Sequence, residues 1–377
     1  MKKDETEQVI NVYIDFAPGT KFHCSCCGEL KPVYDTSVKR VRYLDLFDYR
    51  CYLHIRTPRL DCERDGIKSV HSDPWSRNRS HYSYKFEALI LRLCKQMPMS
   101  AVGKECGEPD SNLWRVLDRH VEHMKSHVFD FSKVTRVCVD ETAVKRGQSY
   151  VTIFTDYDTG HVLFVTEGRK KEVFSLFYGW LWDHGGHPGN IELFSMDMSG
   201  SYQAGRRENF AHSDVVFDRF HIKNCLSDAV DMVRAEEVKS LASLKSTKYI
   251  WLKNEGNLTE KQRLKLDSFL EDGTSQTLSA YKLRCSFDRL WEVQSCAVEP
   301  LLEAWVEKAV SLNLEPINKF VRLVNQIWDG LLNSIKTKIT NAVAEGLNSI
   351  MQLARYRARG YRNVNNYMNM IYFLGNS

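Results

Sequence analysis

Two short apolar segments of the sequence each end in an aspartate. Residues 136–140 read RVCVD and end at Asp140, and residues 191–197 read IELFSMD and end at Asp197. A buried strand that ends in a carboxylate holds that charge at the rim of a sheet. Two such carboxylates supply the oxygen ligands that Mg²⁺ takes when it promotes phosphoryl transfer. If the two strands are neighbours, the pattern predicts a site that cuts nucleic acid and needs one more acid.

Glu345 is the candidate for that third acid. It lies in a segment with helical spacing, four residues after Asn341 and three before Asn348. Residues three and four apart share one face of a helix, so these side chains form a polar stripe on an otherwise apolar helix. A metal ligand is one interpretation of Glu345, and a solvated side chain is the other.

The apolar patterning predicts a mixed α/β domain that positions both aspartates. Three strands in a meander precede alternating helices and strands, and the Asp158-Thr-Gly160 sequence is typical of a hairpin turn. The expected strands are 134–142, 149–157, 160–167, 191–197 and 213–218, with helices at 170–183, at 201–209 and from 221. Residues 235–335 have an almost entirely helical pattern, and the final segment begins with the helix that carries Glu345.

The N-terminal segment has a cysteine pattern typical of a metal knuckle. Cys24 and Cys27 are spaced so that a tight turn brings two thiolates to one ion, and Cys62 and Asp65 repeat the spacing with a carboxylate in second place. These four residues could close a tetrahedron around Zn²⁺. Reduced cysteines in a small β unit are the alternative.

Two segments are candidates for contacts with DNA. The stretch from 39 to 59 is rich in Lys and Arg, and its basic β surface, including Arg40 and Arg42, suits phosphate contacts. Residues 83–128 have helical spacing with a Gly-containing turn, which is the pattern of a helix-turn-helix. The residues expected to face DNA from its second helix are Asn112, Arg115 and Arg119. An ordinary helical hairpin is the alternative.

Composition sets wider bounds. A chain of 377 residues can form two or three domains, and a net charge of +4 permits a polyanionic partner without requiring one. No run of about 18 apolar residues is present, so a membrane span is not expected. The N-terminal sequence MKKDETEQVI has no apolar core, and the cysteine count is the odd number 11. We therefore expect a reducing, cytoplasmic location without a disulfide framework.

Five motifs give the chain a resemblance to a known family. They read VDETA at 139–143, SMDMSGSY at 195–202, VFDRFH at 216–221, AEGLN at 344–348 and RGYRN at 359–363. In order and type they resemble the motifs of bacterial insertion-sequence transposases of the ISL3 family, within the DDE superfamily. The resemblance covers nearly the whole chain, and it departs at Asp65, where the family usually has Cys or His.

The resemblance implies a catalytic role for five residues. Asp140, Asp197 and Glu345 would be the acidic triad of an RNase H-like domain that holds two Mg²⁺ or Mn²⁺ ions for in-line displacement at phosphorus. Asp218 and His221 resemble an Asp-x-x-His element of related transposases. His221 would contact the scissile phosphate or orient a ligand, and Asp218 would join the site or cap a helix. Glu141 is excluded because the next residue of a strand points to the opposite face.

The resemblance also implies an α/β multidomain organisation. The expected segments are a zinc-finger-like unit at 1–75, a helix-turn-helix domain at 76–130, the first part of the catalytic domain at 131–234, a helical insertion at 235–335 and the last catalytic part at 336–377. That last part ends in a basic tail in which Arg355, Arg357, Arg359 and Arg362 are expected to contact a DNA strand.

The leading hypothesis is therefore a nucleoid-associated transposase that binds terminal inverted repeats and target DNA, nicks the element ends and joins them to a target. The resemblance implies a homodimer or larger assembly on double-stranded DNA, with no membrane partner. Two alternatives are a DNA-binding regulator of transposase descent and a metal-dependent nuclease that does not join strands.

Overall fold

The computed structural model of the chain describes residues 1–70, 73–127, 129–145, 149–340 and 342–376. The chain divides into two compact units, Met1–His120 and Val121–Ser377. In the part of the chain that is described, no helix is long and apolar enough to cross a bilayer.

The first unit is a small sheet followed by helices. Its elements are β1 (Lys2–Asp4), β2 (Val9–Ile14), β3 (Lys21–His23), β4 (Leu30–Pro32), β5 (Asp35–Arg42), β6 (Arg50–Cys62), β7 (Gly66–Ser69), α1 (Tyr84–Cys94), α2 (Met99–Cys106) and α3 (Asp110–His127), the last of which continues into the second unit. The sheet order is β1-β2-β6-β5 with β7 also paired to β6, and β3 and β4 form a separate hairpin.

The three helices show why the expected helix-turn-helix forms. Ser83 caps α1 by accepting a hydrogen bond from the N–H of Phe86. Gly107 ends α2 with a φ of 65°, a left-handed conformation that glycine adopts without steric cost. Asp110 then opens α3, which buries Leu113 and Leu117 at a helical spacing of four.

The second unit is built on a mixed five-stranded sheet with a long helical segment. Its elements are β8 (Arg136–Lys145), β9 (Ser149–Asp156), β10 (Val162–Glu167), α4 (Glu172–Asp183), β11 (Leu193–Met196), α5 (Gly200–Asn209), β12 (Asp214–Phe217), α6 (Arg219–Glu237), α7 (Lys248–Leu252), α8 (Glu260–Asp272), α9 (Gln276–Asp288), α10 (Val298–Ser311), α11 (Glu315–Gln326), α12 (Trp328–Thr337), α13 (Ala342–Arg357) and α14 (Val364–Gly375).

The sheet order is β10-β9-β8-β11-β12. The β8–β9 and β9–β10 pairs are antiparallel, whereas β11 runs parallel to both β8 and β12. The meander, the alternating segment and the helical character of 235–335 agree with the sequence patterns. The α/β multidomain class is confirmed.

Aromatic packing holds α4 on the sheet. Phe174 and Phe177 lie three residues apart on the buried face of α4, and both contact Phe154 of β9, with ring centroids 5.4 and 4.3 Å away. Large rings at this spacing bury apolar area and add favourable ring geometry, which fixes the helix against the sheet.

Helix side chains satisfy backbone groups at both edges of this sheet. On β12, Phe217 donates its N–H to Oγ of Ser334 at 2.7 Å. On β10, Val162 donates its N–H to Oδ1 of Asn376 at 2.8 Å and accepts a bond from its Nδ2 at 3.2 Å. These contacts occupy groups that could otherwise pair with another chain.

Close packing of α12 on β12 makes Gly330 sensitive to substitution. A Cβ at this position would lie 2.2 Å from the ring of buried Phe217, whereas a Cβ at Gly179 of α4 meets nothing within 4 Å. We expect Gly330→Ala to lower the free energy of unfolding by about 1–3 kcal/mol through overpacking. The control Gly179→Ala should raise it by about 0.5–1 kcal/mol through helix propensity. Denaturant titration measures both, and equal effects would contradict the packing.

Candidate active site and metal centres

Three aspartates occupy equivalent positions in three parallel strands. Asp197 and Asp218 directly follow β11 and β12, whereas β8 does not end at Asp140 as the sequence predicted but continues to Lys145, paired with β9. Cys138 of β8 pairs with Ser195 of β11, and Asp140 and Asp197 each lie two residues further on. Met196 of β11 pairs with Phe217 of β12, and Asp197 and Asp218 each follow directly. Neighbouring parallel strands are about 4.8 Å apart, so the three carboxylates lie close together at the same end of the parallel strands.

Neighbouring backbone groups orient the three carboxylates. Asp140 accepts a hydrogen bond from the N–H of Glu141 at 2.7 Å, and Asp197 accepts one from the N–H of Met198 at 2.5 Å. Asp218 accepts one from the N–H of Phe220 at 3.0 Å and caps α6. The helix-capping interpretation of Asp218 is therefore correct, and it does not remove this residue from the site.

His221 lies between two of these acids. Its Nδ1 is 3.8 Å from Oδ1 of Asp197, and its Nε2 is 3.6 Å from Oδ2 of Asp218. Asp218 is buried, whereas the side chains of Asp197 and His221 are 45% and 49% exposed. A ring with one nitrogen toward each carboxylate can orient both, and half of its surface stays accessible to a substrate.

Burial dominates the electrostatics of Asp140. It raises the pKa of this carboxyl to about 6, and the negative charges of Asp197 and Asp218 act in the same direction. The hydrogen bond from Glu141 and the nearby His221 oppose the rise. A carboxylate in this environment is unfavourable unless a positive charge joins it.

Helix α13 lies along β8 and is attached to it at two points. Nδ2 of Asn348 donates a hydrogen bond to Oδ2 of Asp140 at 2.6 Å, between residues 208 positions apart in the chain. Two helical turns later, Arg355 donates to the carbonyl of Ala143, three residues beyond Asp140. Seven helical residues and three strand residues both span about 10 Å, so α13 runs in the same direction as β8.

This attachment places Glu345 one turn before the contact with Asp140. Glu345 is exposed, and its carboxylate does not join those of Asp140 and Asp197 in a cluster with ligand atoms within 4.8 Å, among the residues that the structure describes. Asn341, the other member of the predicted polar stripe, lies outside the described residues. The Glu141 carboxylate lies 3.6 Å from the guanidinium of Arg169.

Asn348 is the site residue that sequence reasoning missed. The sequence placed it on the same face as Glu345 but assigned it no role, and only the tertiary structure shows its bond to Asp140. Its Oδ1 is shielded from solvent and has no partner among the described residues. An amide with an unused acceptor beside an acidic cluster has capacity for a further interaction.

Three thiols form a second candidate metal centre. The sulfur atoms of Cys24, Cys27 and Cys62 lie within 4.8 Å of one another, where the β3–β4 turn meets the end of β6. The backbone N–H groups of Cys27 and Cys26 lower the pKa of the Cys24 thiol to about 7. Bonds of this kind favour the thiolate, which is the form that binds metal.

Asp65 does not join these thiols in the structure. Its N–H donates to the carbonyl of Cys62 at 3.1 Å, but its carboxylate lies 3.2 Å from Nζ of Lys68. In the described residues the cluster within 4.8 Å contains the cysteines without Asp65. Asp65, which was expected to be the fourth zinc ligand, therefore forms an ion pair with Lys68 in this structure.

Of the residues of the first unit that were predicted to contact DNA, some are exposed and others are partly or fully buried. Arg40, Arg115 and Arg119 are exposed, although Arg119 also pairs with Glu87 at 2.8 Å. Asn112 is partly buried.

Arg42 is a correction to the sequence-based prediction. It is 2% exposed, and it pairs with Asp45 at 2.5 Å and with Glu108 at 3.8 Å. Its guanidinium also lies 4.8 Å from the ring centre of Phe86. A side chain committed to the interior in this way stabilises the unit and does not face DNA.

The basic tail also contains both exposed and partly buried arginines. Arg357, Arg359 and Arg362 are exposed, as expected for strand contacts. Arg355 is partly buried and bonds to the backbone of β8, so its role in this structure is to attach α13.

A helix-turn-helix unit in the same chain as a sheet that gathers three carboxylates at one end is typical of enzymes that act on DNA. Family comparison makes the class specific. The model of ISL3-type DDE transposases, described as "Transposase", matches residues 137–371. Models described as "Helix-turn-helix domain of transposase family ISL3" and "zinc-finger of transposase IS204/IS1001/IS1096/IS1165" match residues 74–121 and 20–65.

The chain therefore belongs to the ISL3 family of DDE transposases, which are enzymes of DNA phosphoryl transfer. It is similar to the transposase for insertion sequence element IS1001 of Bordetella parapertussis, with 26% identity over 349 residues, covering 90% of this chain and 85% of that protein. It is also similar to the transposase for insertion sequence element IS1557 of Mycobacterium tuberculosis, with 22% identity over 393 residues, 90% of this chain and 86% of that protein. The predicted DNA transposase function is confirmed.

The environment of Asp140 predicts an unusual pH dependence. Because its folded-state pKa is raised to about 6, the folded protein holds this proton more tightly than the unfolded chain, and stability falls as pH rises from about 4 to 6. In EDTA at pH 8, we expect Asp140→Asn to increase the free energy of unfolding by on the order of 1–3 kcal/mol. At pH 4 the variant and the wild type should match. Thermal unfolding at both pH values measures this, and a variant less stable than wild type at pH 8 would contradict it.

Proposed function

We propose that this protein binds the terminal inverted repeats of an insertion sequence and catalyses metal-dependent strand cleavage and strand transfer with Asp140, Asp197 and Glu345. The observation that carries the proposal is the attachment of α13 to β8 through Asn348. This attachment brings the helix that contains Glu345 to the end of the parallel strands where Asp140 and Asp197 lie. The sheet order, with an antiparallel meander followed by two parallel strands, supports an RNase H-like catalytic domain.

The donor set fits hard divalent cations. Carboxylate oxygens are the ligands that Mg²⁺ and Mn²⁺ take, and the raised pKa of Asp140 supports the proposal, because a bound cation would stabilise its charged form. The ions would be held by Asp140, Asp197 and Glu345, and they supply activation of the attacking hydroxyl and stabilisation of the leaving oxygen.

The remaining site residues position these acids. Asp140 is held through both of its oxygens, by the N–H of Glu141 and by Nδ2 of Asn348, so its carboxylate has little freedom to rotate. His221 spans Asp197 and Asp218, and its exposed half is available to contact the scissile phosphate. Fixing such groups before the substrate arrives avoids reorganisation during the reaction.

We propose that DNA contacts exposed arginines of the first unit and the tail, together with the partly buried Asn112. Arg40, Asn112, Arg115 and Arg119 would contact the element end, with α3 as the recognition helix. Since two element ends must be joined to one target, we propose that the protein acts as a homodimer or larger assembly on DNA. The five segments expected from the sequence remain our proposal for its domain organisation.

Catalysis is tested with the full-length protein, element-end DNA and Mg²⁺ or Mn²⁺, scoring both cleaved and joined products. We expect Asp197→Ala and Glu345→Gln each to reduce cleavage and joining by at least about 10²–10³-fold, as for the loss of a group that stabilises charge in a transition state. The matched control Glu260→Gln changes an exposed acid in the first turn of α8 and should leave both products unchanged.

The same assay separates the alternatives. Cleavage that survives Asp197→Ala would reject the metal site. Cleavage without any joined product would indicate a nuclease, and binding of the element end with neither product would indicate a regulator.

We also propose that Cys24, Cys27 and Cys62 hold Zn²⁺ in the N-terminal unit. Three thiols at this spacing fit a tetrahedral ion, and Asp65→Ala should leave the zinc content unchanged because Asp65 pairs with Lys68. Elemental analysis should find zinc near one equivalent per chain in the wild type and in the control Cys296→Ser, which alters an exposed cysteine. Cys24→Ser should lose most of it. A wild type without zinc, or a Cys24→Ser variant that keeps it, would contradict this assignment.

A further inference from the structure

A large groove lies beside the C-terminal half of α13. Its volume is about 1290 Å³, and residues of β8, of α13 and of the turn after α13 line it. Its lining includes Ala143, Ser349, Gln352, Tyr356, Arg359 and Arg362.

The groove continues the helix face that carries Glu345. Glu345, Ser349, Gln352 and Tyr356 follow one another at spacings of four, three and four, so they lie on one side of α13. From Glu345 to Tyr356 the helix rises about 16 Å. A strand that leaves the acidic site along this face would enter the groove within a few nucleotides.

Tyr356 presents most of its side chain to solvent. It is 83% exposed, near the end of α13, whereas Tyr367 of α14 is fully buried. Among the described residues the ring of Tyr356 makes no ring–ring or cation–π contact, so it offers a free face to a ligand. A free ring face of this kind can stack on an unpaired base.

The charge beside Tyr356 identifies the chemistry of that partner. Arg359 and Arg362 line the groove and are exposed, and the sequence from 351 to 377 contains no Asp or Glu. Arg359 and Gly360 have φ values of 54° and 91°, so the backbone leaves the helix in a left-handed turn next to Tyr356. An exposed ring flanked by guanidinium groups is the arrangement that binds unpaired bases and their phosphates.

We infer that this groove binds a short single-stranded DNA segment that continues from the scissile phosphate, with a base stacked on Tyr356 and phosphates on Arg359 and Arg362. A duplex would keep its bases stacked on each other and could not use the ring. The inference deepens the proposed function and rests on it for the location of the scissile phosphate. Arg355 is not part of this contact, because it bonds to the carbonyl of Ala143.

The test is binding of full-length protein to two probes that share one element-end duplex. One probe is blunt, and the other has a single-stranded extension with 2-aminopurine, whose fluorescence reports stacking. All variants carry Asp197→Ala, so that cleavage cannot alter the probes. We expect Tyr356→Ala to weaken binding of the extended probe by about 5- to 100-fold, as for the loss of one stacked base, and to abolish the 2-aminopurine quenching. Binding of the blunt probe should change less than about 2-fold.

Two further variants complete the design. Tyr356→Phe keeps the ring and should retain affinity and quenching. Tyr249→Ala, which removes a tyrosine that is 67% exposed on α7, should have no effect on either probe. If Tyr356→Ala weakens binding of both probes equally, Tyr356 contacts the duplex and the inference is wrong. If it weakens binding of neither probe, the inference is also wrong.

The binding experiment tests this inference independently of the assay that tests the proposed function. Binding is measured without catalysis, so a protein that stacks the extension on Tyr356 but shows no metal-dependent cleavage in the assay above would contradict the proposed function alone. A protein that cleaves and joins DNA but binds both probes equally would contradict this inference alone.

Discussion

The proposed catalytic arrangement depends on the hydrogen bond from Asn348 to Asp140. It joins residues 208 positions apart, and together with the bond from Arg355 to the carbonyl of Ala143 it sets both the direction and the register of α13 on β8. Glu345 lies one turn from the first contact, and the groove with Tyr356 lies beside the second. A shift of α13 by one residue would rotate it by about 100° and remove both Glu345 and Tyr356 from the face that they share.

The rest of the second unit makes this arrangement possible by returning the chain to the sheet. After β12 the chain passes through the helices α6 to α11 before α12 reaches the edge of β12, where Ser334 bonds to Phe217. The chain then enters α13, and α14 closes the opposite edge through Asn376. Side chains from the C-terminal helices thus cap both edges of the sheet. These helices therefore separate Asp197 from Glu345 in sequence, while the sheet keeps the elements of the two residues close in space.

Local patterns predicted the elements well because each depends on nearby residues. Apolar runs and turn residues indicated β8 to β12, and they placed Asp197 correctly at the end of β11, whereas β8 continues five residues beyond Asp140. Contacts between distant segments could not be predicted in this way. Arg42 resembled any basic strand residue, but partners at Asp45 and Glu108 place it in the interior. Neither the bond that makes Asn348 a site residue nor the ion pair that engages Asp65 has a signal in local spacing.

The central claim is that α13 brings Glu345 to the metal ions held by Asp140 and Asp197. It can be measured by replacing Mg²⁺ with Fe²⁺ and adding ascorbate and peroxide, since hydroxyl radicals formed at the bound ion cut the polypeptide nearby. The account predicts backbone cuts in three separate segments, near Asp140, near Asp197 and near Glu345, all suppressed by excess Mg²⁺. Cuts near Asp140 and Asp197 without any near Glu345 would contradict it.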